Sequence, residues 1–137
     1  MKQLGIFLAM GVALGGSIVP IRARAADEVE QARTEMARIW YQKYCTPCHG
    51  PGGAPGSAVY AATKQPVDLR NYVERNGGKF PSGRWLSVVF APQPGGTHTE
   101  VWEKIRSAQP ESPERDAEAR GVVASIAEYV ISIQKKQ

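Results

Sequence analysis

The chain has 137 residues and carries 17 Lys and Arg residues against 13 Asp and Glu residues, which suits one small domain. Three of the basic residues stand before residue 26, so the remainder is close to neutral. It has no basic run interleaved with aromatic residues, and we therefore expect no nucleic-acid partner.

The first 25 residues have the pattern of a secretory signal peptide. Lys2 precedes an apolar run over residues 4–19, and small residues at Ala23 and Ala25 predict cleavage after Ala25. The run is shorter than the roughly 20 residues that a membrane helix needs. We therefore predict a signal peptide over 1–25, export to the periplasm and no stable membrane insertion after cleavage; an uncleaved anchor is the alternative.

The first predicted helix runs from Asp27 to about Tyr44. Apolar residues recur there at spacings of three and four, and charged residues occupy the other side. Met36 lies on the apolar face, so we expect it to fill the core. The glycine- and proline-rich segment 50–56 excludes regular structure, which places the two cysteines where a helix meets a loop. The apolar face consists of Val29, Ala32, Met36, Ala37, Trp40, Tyr41 and Tyr44.

The rest of the chain predicts three shorter helices and a long last one. Short helices are expected over 68–74 and 84–90, and another begins near a cap at Thr97 or Thr99. The last helix has the clearest apolar stripe in the chain. The expected fold is an all-α, loop-rich domain over residues 26–137. Residues expected in the core are Trp85, Val88 and Val89 and, on the last helix, Val122, Val123, Ile126, Tyr129, Val130 and Ile133.

One short motif carries chemistry. Residues 45–49, Cys-Thr-Pro-Cys-His, fit the C-x-x-C-H pattern of c-type haem attachment. Two thiols three residues apart at a helix end can reach two vinyl groups on one porphyrin edge, and the next residue presents an imidazole to the iron. The motif predicts one covalent haem c, attached through Cys45 and Cys48 and ligated by His49.

Two other sites compete with haem. A thioredoxin-like dithiol places its first cysteine at a helix N-terminus, usually after a strand, whereas here a helix precedes the cysteines. A zinc site could use Cys45, Cys48, His49 and His98, but His49 directly follows Cys48 and cannot easily share a tetrahedral site with it. Both are less favoured than haem.

With this motif the chain resembles the class I cytochromes c, in which a first helix leads into C-x-x-C-H and crosses a C-terminal helix. That family has a small residue eight positions before the first cysteine and an aromatic four before it, where this chain has Ala37 and Tyr41. The last helix likewise carries Ile126 and Tyr129. Ala37 replaces the usual glycine, which implies a slightly wider crossing. The resemblance covers both ends of the domain but not its middle, and it implies a cytochrome c-like fold around one haem.

The second axial ligand departs from the family pattern. Family members usually supply a methionine from a later loop, but here Met1 and Met10 lie in the signal peptide and Met36 precedes the motif. His98 is the preferred replacement. The alternatives for His98 are a surface histidine or one hydrogen-bonded to a haem propionate.

Weaker expectations concern the surroundings of the haem. A backbone carbonyl of Pro55, or less favourably Pro51, is expected to orient His49. Three further residues could reach propionates, although solvated arginines and a core tryptophan are commoner outcomes; they are Arg70, Arg84 and Trp85.

These observations imply a periplasmic electron-transfer protein that meets redox partner proteins, alone or as the cytochrome subunit of an oxidoreductase. With two imidazole ligands it would have a low potential. One alternative is a haem protein with an open sixth site for small ligands or peroxide. The other is a haem-free, thioredoxin-like dithiol protein. No pattern typical of hydrolases or kinases is present.

Overall fold

The computed structural model describes residues 21–54, 67–90, 96 and 98–135. Over these residues the chain is built from α-helices and two 3-10 turns, without a strand, which confirms the all-α prediction. The first 20 residues of the predicted signal peptide lie outside the described residues. The helices are α1 (Ile21–Tyr44), α2 (Thr46–His49), α3 (Tyr72–Arg75), α4 (Ser82–Phe90), α5 (Thr99–Ser107) and α6 (Arg115–Ser132), with 3-10 turns at Pro51–Gly53 and Leu69–Asn71.

Helix α1 starts earlier than predicted and buries a narrower face. It begins at Ile21 and runs through the predicted cleavage position. Ala37, Tyr41 and Tyr44 are buried, as expected. The placement of Met36 in the core is wrong, because its side chain is 45% exposed. Consecutive helical residues point about 100° apart, so Met36 turns away from the buried Ala37 face.

Packing of α1 against α6 forms the centre of the molecule and confirms that the first and last helices meet. The rings of Tyr41 and Tyr129 lie 4.7 Å apart, a contact that adds about 0.5–1.5 kcal/mol beyond area burial. An ion pair also links the two helices: the Nε of Arg33 on α1 donates to a carboxylate oxygen of Glu128 on α6 at 2.9 Å. Ala37 is almost fully buried, which leaves little room for a larger side chain in this region.

Helices α4 and α5 close the other side of the core. Trp85 and Val89 are buried as predicted, but Val88 is 41% exposed, so its predicted burial is wrong. On a short helix that packs through one face, Val88 and Val89 cannot both point inward. The N-cap of α5 is His98 and no side-chain cap is formed, so Thr99 is not the cap; Thr97 lies outside the described residues. The core comprises Tyr41, Tyr44, Leu69, Trp85, Val89, Ile105, Ala119, Val122, Val123, Ile126, Ala127 and Val130.

The predicted short helices are confirmed in position. Residues 68–74 form the 3-10 turn Leu69–Asn71 followed by the single turn α3, and α4 contains residues 84–90. The side chain of Asp68 starts the 3-10 turn by accepting a hydrogen bond from the Arg70 amide at 2.9 Å. In the part of the chain that is described, no helix has the length and apolar character to cross a membrane.

Candidate functional site

Residues 45–49 form a single helical turn that almost continues α1. The amide of Cys45 donates to the Tyr41 carbonyl at 2.8 Å, and the amide of His49 donates to the Cys45 carbonyl at 2.8 Å. The helix thus ends at Gly50, as predicted, but the exclusion of regular structure after it is wrong, because Pro51–Gly53 forms a 3-10 turn. Glycines with positive φ allow this tight turn where a longer helix cannot form. Residues three and four apart share one helix face, so the side chain of Cys45 neighbours those of Cys48 and His49.

A tight reversal after His49 ends this turn. Gly50 has φ +73°, and a Cβ there would lie 2.3 Å from the Ala54 carbonyl oxygen, so only glycine fits this backbone. The hydroxyl of the fully buried Tyr41 donates to the Gly50 carbonyl at 3.0 Å. Helix α1 thus holds the end of the motif directly, through the same aromatic ring that contacts α6.

The two thiols are free, and Cys45 lies against the core cluster. Burial raises the pKa of Cys45 to about 12, and the neighbouring Cys48 adds to the shift. A dithiol oxidoreductase needs the opposite, a lowered pKa that yields a thiolate near neutral pH. The environment of Cys45 therefore does not favour the dithiol alternative.

The imidazole of His49 is oriented by a backbone carbonyl. Its Nδ1 lies 3.2 Å from the carbonyl oxygen of Val67. A carbonyl can only accept, so Nδ1 carries the proton and Nε2 keeps its lone pair. The residue that supplies this carbonyl is Val67 and not Pro51; Pro55 lies outside the described residues. Desolvation lowers the pKa of His49, which keeps the ring neutral, as a metal ligand must be.

The structure brings His98 to His49 although 49 residues separate them in the sequence. The two ring centroids are 6.3 Å apart and the ring planes differ by 12°. His98 stands at the start of α5, where its carbonyl accepts the Trp102 amide at 2.9 Å. Desolvation lowers the pKa of His98 too, so burial favours the neutral form of both rings.

The segment that follows Val67 is tied to the end of α6. Gln134 accepts a hydrogen bond from the Val73 amide at 2.8 Å and donates to the Leu69 carbonyl at 2.8 Å and to the Val130 carbonyl at 2.6 Å. The Lys135 amide donates to the Arg70 carbonyl at 2.9 Å. Sequence reasoning missed these contacts, because a backbone carbonyl and a glutamine side chain give no motif.

Three residues expected near propionates have other partners or surroundings. Arg70 forms a two-point ion pair with Asp68, at 3.0 Å through Nε and 2.8 Å through Nη2. Arg84 is exposed. Trp85 is a core residue whose indole N–H lies 3.4 Å from the Val123 carbonyl. Arg84 and Trp85 thus show the commoner outcomes anticipated, a solvated arginine and a core tryptophan. Arg70 does not, because it is half-buried and paired with Asp68.

Among the described residues, no three His, Cys, Asp or Glu side chains cluster closely enough to hold a metal ion. Comparisons with protein-family models, curated proteins and solved structures find no match to the chain. The candidate site thus consists of Cys45, Cys48 and His49 on one turn, with the ring of His98 beside that of His49.

Proposed function

We propose that this chain is a periplasmic c-type cytochrome that carries electrons through one covalent haem, with His49 and His98 as the two axial ligands. The observation that carries the proposal is the pair of neighbouring, near-parallel histidine rings beside two free thiols. The two histidines come from different parts of the chain, since His49 ends the motif and His98 stands at the start of α5.

The separation of the rings suits two imidazoles on opposite sides of one metal ion. A metal–imidazole bond is about 2.0 Å long. If one nitrogen of each ring were to bind the same metal ion from opposite sides, the ring centroids would be about 6.3 Å apart, and the observed separation is 6.3 Å.

The chemistry of the donor set also fits haem. Burial favours the neutral form of both histidines, and the Nδ1 of His49 is engaged by Val67, so its Nε2 is free for iron. Cys45 and Cys48 supply the two sulfurs for thioether links. When bound, the haem supplies an iron that changes between the ferric and ferrous states. Two imidazoles favour ferric iron more than an imidazole and a thioether do, so the carrier has a low potential.

The protein fold is proposed to be cytochrome c-like. Its support is the resemblance of the motif region, the packing of α1 on α6 and the aromatic pair of Tyr41 and Tyr129. Pro47, between the two cysteines, and Pro51, two residues after His49, are both exposed, so one edge of the site lies at the surface. This suits brief encounters with redox partner proteins, which use small interfaces. The predicted signal peptide places those encounters in the periplasm.

The first experiment asks whether haem is covalently bound. The full chain is expressed with its predicted signal peptide in a host that matures c-type cytochromes, and the periplasmic protein is extracted with acidic acetone. We expect the haem to remain with the protein and the pyridine haemochrome spectrum to show two thioether links. Haem-free protein with two titratable thiols would overturn the proposal in favour of the dithiol alternative.

The second experiment asks which residue is the second ligand. His98→Ala is expected to lose the low-spin ferric spectrum and to regain it when free imidazole is added, because imidazole can take the vacated position. Glu100→Ala, an exposed change in the first turn of the same helix, is the control and should keep the wild-type spectrum. A low-spin spectrum in His98→Ala without imidazole, or cyanide binding to the wild type as fast as to His98→Ala, would contradict ligation by His98.

A further inference from the structure

We infer that Gln134 is a positioning residue for the axial histidine: it fixes the chain segment whose Val67 carbonyl orients His49, and so sets the reduction potential from the far end of α6. This inference rests on the proposed function. It assigns to a residue outside the motif a role in tuning the iron.

The Val67 carbonyl is held through the residues that follow it. Its carbon is bonded to the nitrogen of Asp68, whose own carbonyl accepts from Arg75 at 2.6 Å. Asp68 also starts the 3-10 turn through the Arg70 amide. The side chain of Val67 is 49% exposed, so packing of this residue does little to hold the carbonyl in place.

Gln134 fixes that 3-10 turn to α6. Its side chain bonds Leu69 on one side and Val73 on the other, and its third bond, to the Val130 carbonyl, ties it to the last turn of α6. Leu69 is 3% exposed. Gln134 is half-buried, and its side-chain amide makes three hydrogen bonds to three backbone groups. Such an amide is a rigid link, because losing it leaves those groups without this partner.

The hydrogen bond between His49 and the Val67 carbonyl, which the contacts of Gln134 support, is at the long end of the usual hydrogen-bond distances. The Nδ1 of His49 and the Val67 oxygen are 3.2 Å apart, and N–H···O bonds weaken beyond about 3.2 Å. A small shift of the segment therefore weakens the bond further. Donation by Nδ1 makes the imidazole a stronger electron donor toward a metal, so a weaker bond destabilises the ferric state and raises the potential.

The test compares Gln134→Ala with Gln109→Ala. Gln109 makes the equivalent bond at the end of α5, from its side chain to the Ile105 carbonyl four residues earlier at 2.9 Å, but it does not contact the Leu69 segment. Gln134→Met is a second variant, which keeps the volume and loses all three hydrogen bonds if the alanine variant folds poorly. Covalent haem in the wild type is verified first by the haemochrome spectrum.

We expect the reduction equilibrium constant to rise about threefold in Gln134→Ala and Gln134→Met, which is about 30 mV at about 59 mV per tenfold for one electron. The His49 Nδ1 proton should exchange with water at least about threefold faster in NMR spectra of the reduced protein. Gln109→Ala should lose stability without either change. Unchanged potential and proton exchange in both Gln134 variants, or equal shifts in Gln109→Ala, would overturn the inference while leaving the proposed function intact; an absence of haem in the wild type would overturn both.

Discussion

Replacement of Gly53 by alanine is expected to destabilise the protein more than the same replacement at Gly52. Gly53 has φ +77° and ends the 3-10 turn that follows the motif. At this point the turn packs against Leu69 and Ile133. A Cβ at this position would be 2.8 Å from the Cδ1 of Ile133 and 3.2 Å from the Cβ of Leu69. The end of Ile133 can rotate away, but the Cβ of the buried Leu69 can move only with its backbone.

The magnitude follows from comparing the two glycines. Gly52 has φ +68° and nothing within 4 Å of its added Cβ, so Gly52→Ala meets only the backbone penalty of about 1–2 kcal/mol. Gly53→Ala meets the same penalty and also overpacks the site, which typically costs about 1–3 kcal/mol. The free energy of unfolding should therefore be lower in Gly53→Ala than in Gly52→Ala by about 1–3 kcal/mol.

Urea unfolding followed by far-ultraviolet circular dichroism measures this difference. With a slope of about 1–2 kcal/mol/M for a domain of this size, the two midpoints should differ by roughly 0.5–3 M at equal slopes. Equal midpoints for the two variants would refute the reasoning, since the close contacts around Gly53 would then have no energetic consequence.

Two further outcomes are expected from single contacts. Tyr41→Phe removes the buried hydroxyl that donates to Gly50 at 3.0 Å, and it should lower the free energy of unfolding by about 1 kcal/mol in urea titrations; an unchanged value would mean that the Gly50 carbonyl finds a new partner. The hydrogen bond from Arg70 lowers the pKa of Asp68 to about 2 from 3.8. Its contribution is therefore complete above pH 4 and is lost as the pH falls toward 2. The stability difference between wild type and Asp68→Asn should shrink over that interval, and it should be on the order of 1 kcal/mol at pH 5 because Arg70 is partly exposed. A difference that does not depend on pH would contradict this assignment.

Periodicity identified the two long helices because each buries one continuous stripe. The buried residues of α6, such as Val123 and Val130, recur at the spacing from which the helix was predicted. The same pattern placed Met36 wrongly. An apolar residue at the margin of a stripe is buried only if a neighbouring element covers it, and that depends on where α6 lies relative to α1.

The local chemistry of the motif could be predicted, but the support of His49 could not. The spacing of Cys45 and Cys48 and the position of His49 are properties of five consecutive residues. The carbonyl that orients His49 belongs to Val67, and any residue type supplies the same atom. The hydrogen bond between Gln134 and Leu69 joins residues 65 apart in sequence, so only the packed structure reveals it.

The bonds made by Gln134 also set an order of events during folding. Residues 45–49 can form their turn through local hydrogen bonds before α6 has docked, whereas the Val67 carbonyl is fixed only afterwards. Until α6 docks, residues 45–49 are accessible and His49 is free to rotate. The two cysteines can thus react while residues 45–49 are still loosely held. His49 takes its final orientation when the last helix docks.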